Sequence, residues 1–100
     1  MADYFQITES QTLSEVKFYD VYMTPKLRSG ATISGTPTVT HTEPDGSSGN
    51  DASVGTVSGG TVPVKFDTPE KTGIHKLILT VVTSDGETLI SRIDIPVVYW

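Results

Sequence analysis

One hundred residues leave room for one hydrophobic core and no second domain, and a core of that size is stable without a disulfide or a metal. The chain has no cysteine, which excludes disulfides, thiolate metal sites and cysteine nucleophiles, and its net charge of -5 argues against a nucleic-acid partner, which needs clustered Lys and Arg. No window reaches the length of a membrane span, and no basic segment with an apolar run follows Met1, so neither a membrane nor a signal peptide is expected.

Threonine, valine and isoleucine together make up a third of the chain, a β-branched composition that suits pleated surfaces and disfavours helix. Residues 1–13 show no sustained period and read as an N-terminal arm that either packs against the domain's own edge, or is mobile, or docks Tyr4, Phe5 and Ile7 on a neighbouring subunit. The first strand is expected from Ser14 to Met23. Val16, Phe18, Asp20 and Tyr22 share one parity and Lys17, Tyr19, Val21 and Met23 the other, and Val16 and Phe18 are expected to face the core. Thr24-Pro25 ends this strand, because proline cannot donate to a ladder and keeps the residue before it extended.

After a turn at Arg28-Ser29-Gly30, a threonine-rich strand runs from Ala31 to His41, anchored by Ile33 and Val39, with Pro37 marking a sheet edge or a bulge. The window from Glu43 to Asp51 is almost all turn-forming residues and is expected to be an exposed, energetically spare loop. Short strands follow at Val54 to Val57 and Thr61 to Phe66, the second with Val62, Val64 and Phe66 on one face. The last quarter, Gly73 to Val98, reads as a long hairpin turning at Ser84-Asp85-Gly86. Its inward residues are Leu77, Leu79 and Val81, then Ile93 and Ile95 on the return strand. The expected fold is therefore all-β: an immunoglobulin-like antiparallel β-sandwich of six to seven strands over residues 14–100, with negligible helix.

The search for chemistry ends without an active site. His41 and His75 are the only histidines, and neither is expected to have a second ligand at metal spacing. The oxygen donors from Asp45 to Asp51 do not follow a calcium-loop pattern, Gly59-Gly60 opens no helix to hold a phosphate, and no G-x-S-x-G is present. No catalytic, cofactor-binding or metal residue is assigned, and a non-enzymatic protein is expected.

The run Phe18-Tyr19-Asp20-Val21-Tyr22-Met23-Thr24-Pro25, followed by Leu27, Gly30 and Ile33, resembles the start of a group of small tailed-phage virion proteins. The closing segment Gly73 to Ile95, with Leu77, Leu79, Thr83, Asp85, Gly86 and Ile93, is similar to the closing hairpin of the same group. That resemblance implies an immunoglobulin-like head decoration (cement) protein or an adaptor between fibre and tail, made in the host cytoplasm and carried in the virion. It further implies the major capsid protein or tail and fibre proteins as partners, a homo-oligomeric arrangement on the particle, no cofactor, no nucleic acid and no membrane. The attachment residues are then expected at the two chain ends: Tyr4, Phe5 and Ile7 at one, Tyr99 and Trp100 at the other. The alternative is a carbohydrate- or cell-surface-binding module using the loop from Asp45 to Asp51, although that loop carries no aromatic ring for a sugar to stack on.

Overall fold

The computed structural model of the chain describes residues 4–6, 11–12 and 15–98. Alternating apolar and polar residues form strands throughout these segments: β1 (Tyr4–Gln6), β2 (Gln11–Thr12), β3 (Val16–Tyr22), β4 (Ile33–Thr42), β5 (Ser48–Gly49), β6 (Ala52–Val54), β7 (Thr61–Asp67), β8 (Gly73–Thr83) and β9 (Thr88–Val98). The one helical piece among the described residues is a 3-10 turn, Thr24–Lys26, where Pro25 breaks the strand as its fixed φ requires.

Two sheets face each other. One runs β1-β9-β8-β4-β5, with β2 also on β9, and the other runs β3-β7-β6. In chain order this is the connectivity of an immunoglobulin sandwich, with β3, β6 and β7 in the places of strands B, D and E, and β4, β8 and β9 in those of C, F and G. The hairpin of β8 and β9 pairs from Gly73 opposite Val97 to Val82 opposite Thr88. Its turn closes at Gly86, whose φ of 93° is one that a side chain rarely tolerates. In β4 the register shifts between Ser34 and Thr38, so Pro37 lies at the irregularity expected of it.

Between the sheets lie Val62, Val64 and Phe66 of β7, Leu77, Leu79 and Val81 of β8, and Ile93, Ile95 and Val97 of β9. Ile33 and Val39 pack at the margin of this core. The expectation for β3 is overturned: Tyr19, Val21 and Met23 are buried, whereas Val16 and Phe18 face solvent. The reason lies in the company each parity keeps. Turning Val16 and Phe18 inward would carry Asp20 with them, an ionised carboxylate in an apolar core. The opposite choice buries Tyr19, whose hydroxyl donates to Gln11 Oε1 at 2.8 Å.

Within the segment read as an arm, Tyr4–Gln6 and Gln11–Thr12 pair in parallel with β9 of the same chain. Gln11 is fully buried, and its side-chain amide donates to the Glu15 carbonyl at 2.6 Å and to the Phe66 carbonyl at 3.2 Å. These bonds tie the entry of β3 to the end of β7, so the short strands also cover part of an otherwise open sheet edge.

Candidate functional site

The polar chemistry of the domain collects at one end of the core, where β4 meets β8. His41 stands opposite Leu77, so His75, two residues earlier on β8, is its diagonal neighbour on the inward face. Glu43 follows His41 by two residues and therefore projects to the same side. The result is a His41, Glu43 and His75 cluster within the sandwich, with side chains 1%, 13% and 0% exposed.

The atoms converge closely. His41 Nε2 lies 2.8 Å from His75 Nδ1 and 3.1 Å from Glu43 Oε1, and His75 Nδ1 lies 3.4 Å from the same carboxylate oxygen. His75 Nε2 sits 2.6 Å from the Lys71 carbonyl, which can only accept, so Nε2–H donates there and Nδ1 is the ring nitrogen turned toward the cluster. On the far side of His41, the Asp51 backbone N–H approaches Nδ1 at 3.4 Å and the Asp51 carboxylate stands 3.9 Å away. Phe66 meets both imidazoles edge-on, with ring centroids 5.0 Å from His41 and 5.2 Å from His75.

Burial is the largest influence on His41 and pushes its pKa below the ordinary imidazole value, against the attraction of Glu43. Desolvation likewise pushes Asp51 up, opposed by His41. Glu43 divides its two oxygens. Oε2 lies 3.5 Å from Lys71 Nζ, while Oε1 is buried without a hydrogen-bond partner among the described residues. An unsatisfied buried acceptor of this kind costs about 1–3 kcal/mol and more when charged.

The turn that carries Glu43 is exposed, as expected, but its backbone and side chains are closely hydrogen-bonded. Glu43 N–H donates to the Ser47 carbonyl at 2.8 Å, and Gly46 N–H donates to the Glu43 carbonyl at 2.9 Å. Asp45 Oδ1 accepts from the Ser47 hydroxyl at 2.6 Å and the Ser47 N–H at 3.0 Å, while its Oδ2 takes Lys71 Nζ at 3.0 Å. β5 then pairs back on β4, with Gly49 opposite His41. A Cβ at Gly49 would run into the His41 ring, so only glycine lets the backbone lie against it. Beside this contact is a depression of about 370 Å³ bordered by Val39, Thr40, His41, Ser48, Gly49, Asn50 and Ala52.

Sequence reasoning missed the cluster because it ended the strand at His41 and left Glu43 to the loop. His41-Thr42-Glu43 was the available signal, since strand geometry places alternate residues on one face. Of the expected attachment residues, Tyr4 and Phe5 lie in β1, and their side chains are outside the described residues, as are Ile7, Tyr99 and Trp100 entirely.

A second set of residues stands out by exposure. On the outer face of β3, Val16, Phe18 and Tyr22 stand in line with Asp20 between the last two, and Phe18 and Tyr22 are 62% and 65% exposed. The outer face of the larger sheet carries Ile74, Ile78 and Val82 from β8 and Ile90 from β9, all exposed. Both outward surfaces of the sandwich thus present apolar groups to solvent. No family model matches the chain, and a search of curated proteins returns no match.

Proposed function

We propose that this chain is a non-enzymatic structural component of a bacteriophage virion, a capsid decoration protein or a fibre–tail adaptor, attached in many copies to the coat or tail proteins of the particle. The observation that carries the reading is the row of Val16, Phe18 and Tyr22 standing in solvent on the outer face of β3. An exposed apolar side chain such as Phe18 yields about 1.5–3 kcal/mol when a partner covers it fully. Surface ion pairs contribute about 0–1 kcal/mol each, so attachment has to draw on apolar burial.

Three further features support this role. The resemblance of Phe18 to Pro25 and of Gly73 to Ile95 to small virion proteins covers the strand that bears the exposed row and the hairpin that bears Ile74, Ile78, Val82 and Ile90. Apolar groups on two opposite faces suit a protein held between neighbours in a repeating lattice. The chain's two histidines, the natural candidates for general acid–base work, are shut inside the sandwich.

The test is the paired substitution Phe18→Ser with Tyr22→Ser, measured by co-sedimentation with purified particles. Both side chains are exposed, so the melting temperature stays close to that of the parent while occupancy on the particle falls strongly. Undiminished occupancy by the folded variant would show that this face does not attach the protein.

A further inference from the structure

We infer that His41, Glu43 and His75 form a binding site for a single zinc-class divalent ion that clamps the end of β4 to β8. Three observations support this independently of any role on a particle. The first is distance. The donor atoms His41 Nε2, His75 Nδ1 and Glu43 Oε1 make a triangle with edges of 2.8, 3.1 and 3.4 Å. A point about 2.0–2.2 Å from all three, the bonding distance of zinc to imidazole nitrogen and carboxylate oxygen, lies just off the plane of that triangle.

The second observation is the orphaned oxygen. Glu43 Oε1 is buried, faces both imidazoles and has no hydrogen-bond partner among the described residues. An ion held by the three donor atoms supplies the positive charge that this oxygen lacks.

The third is what orients the rings. His75 donates Nε2–H to the Lys71 carbonyl, which leaves Nδ1 as the ring nitrogen aimed at the triangle. A ligating imidazole characteristically donates its other ring N–H to a carbonyl or carboxylate in this way. On the far side of His41 from the triangle, Nδ1 meets the Asp51 backbone N–H at 3.4 Å and the Asp51 carboxylate at 3.9 Å. Phe66 against both rings and the Gly49 backbone against His41 restrict their rotation.

Two imidazoles and one carboxylate favour zinc and its neighbours over magnesium or calcium, which take oxygen ligands. Three protein ligands are one short of a tetrahedral shell, which a water completes. Because the ligands come from two strands and from the turn after β4, occupancy resists separation of these elements and raises the stability of the folded chain.

The test uses the full chain, stripped with a chelator and titrated with zinc chloride alone by calorimetry and by thermal melting. The expected result is one ion per chain and a melting temperature that climbs with zinc concentration. Magnesium and calcium at equal concentration should leave it unchanged. Replacing zinc by cobalt(II) should give the visible absorption of a tetrahedral site with nitrogen and oxygen ligands. Glu43→Gln keeps the shape of the side chain and should fold, yet lose affinity by about tenfold or more. The inference is overturned if the stripped parent protein neither binds zinc at one equivalent nor melts higher with it. It is equally overturned if folded Glu43→Gln binds as tightly as the parent, or if calcium produces the same shift.

Discussion

Replacing Phe66 by alanine removes a ring that is fully buried in β7 and meets the His41 and His75 imidazoles edge-on at 5.0 and 5.2 Å. Truncating a buried phenylalanine costs about 3–5 kcal/mol through lost burial and the cavity left behind. A domain of this size has a total stability of about 5–15 kcal/mol, so the variant sits near the edge of folding. Phe18→Ala is the matched control: the same side chain is deleted from the adjacent strand, at a site 62% exposed. That change should move stability by no more than about 0.5 kcal/mol. Urea titrations followed by far-ultraviolet circular dichroism read both values, with the slope of the transition unchanged for a simple loss of stability. Equal losses for the two variants, or a larger loss for Phe18→Ala, would refute the facing of β3 and β7 on which the whole core assignment rests.

Four other perturbations probe the frame around the cluster. Gly49→Ala should destabilise the chain by about 1–3 kcal/mol in the same titration, because its Cβ meets the His41 ring and the turn has to shift. Gln11→Ala withdraws a buried amide that serves the Glu15 and Phe66 carbonyls and accepts from the Tyr19 hydroxyl, at a cost of about 1–3 kcal/mol. Deleting residues 1–12 should therefore lower the melting temperature and not merely free an arm. The Ser47 hydroxyl and N–H, with Lys71, hold the Asp45 carboxyl well below the usual carboxylate range. A depressed carboxyl contributes stability that is present above its unfolded pKa of about 3.9 and is lost as pH falls below it. Asp45→Asn should accordingly flatten the decline in melting temperature between about pH 4 and pH 2. An acid limb of unchanged steepness would show that the pairing at this exposed turn has no effect on folding.

The sandwich was legible wherever one parity of a strand was plainly apolar. In β7, Val62, Val64 and Phe66 alternate with Pro63 and Lys65, whereas β8 carries apolar groups on both parities, and Leu77, Leu79 and Val81 turn inward while Ile74, Ile78 and Val82 turn outward. β3 was ambiguous because aromatic groups lie on both parities and each carries a charge; Asp20 sits mid-strand, whereas Lys17 lies near the strand's start, where a long side chain can reach water. Gln11 left no trace in the pattern, since a polar residue in a segment without a period gives no sign that its amide will be buried against distant carbonyls. The His41, Glu43 and His75 cluster was half legible. Strand spacing links His41 to Glu43, but His75 joins them only through the register of β4 on β8, which local sequence does not specify. The turn from Glu43 looked spare for lack of apolar anchors, yet it is held by charge and hydrogen bonds from Asp45, Lys71 and Ser47.

The most direct measurement of the proposed role is the amount of this chain in particles recovered from lysed producing cells and separated on a density gradient. Quantitative mass spectrometry across the particle peak should find the chain at a constant ratio to the main coat or tail protein, in many copies per particle. A chain confined to the soluble fractions, or present in particles at a ratio that drifts from fraction to fraction, would contradict the account of a virion component.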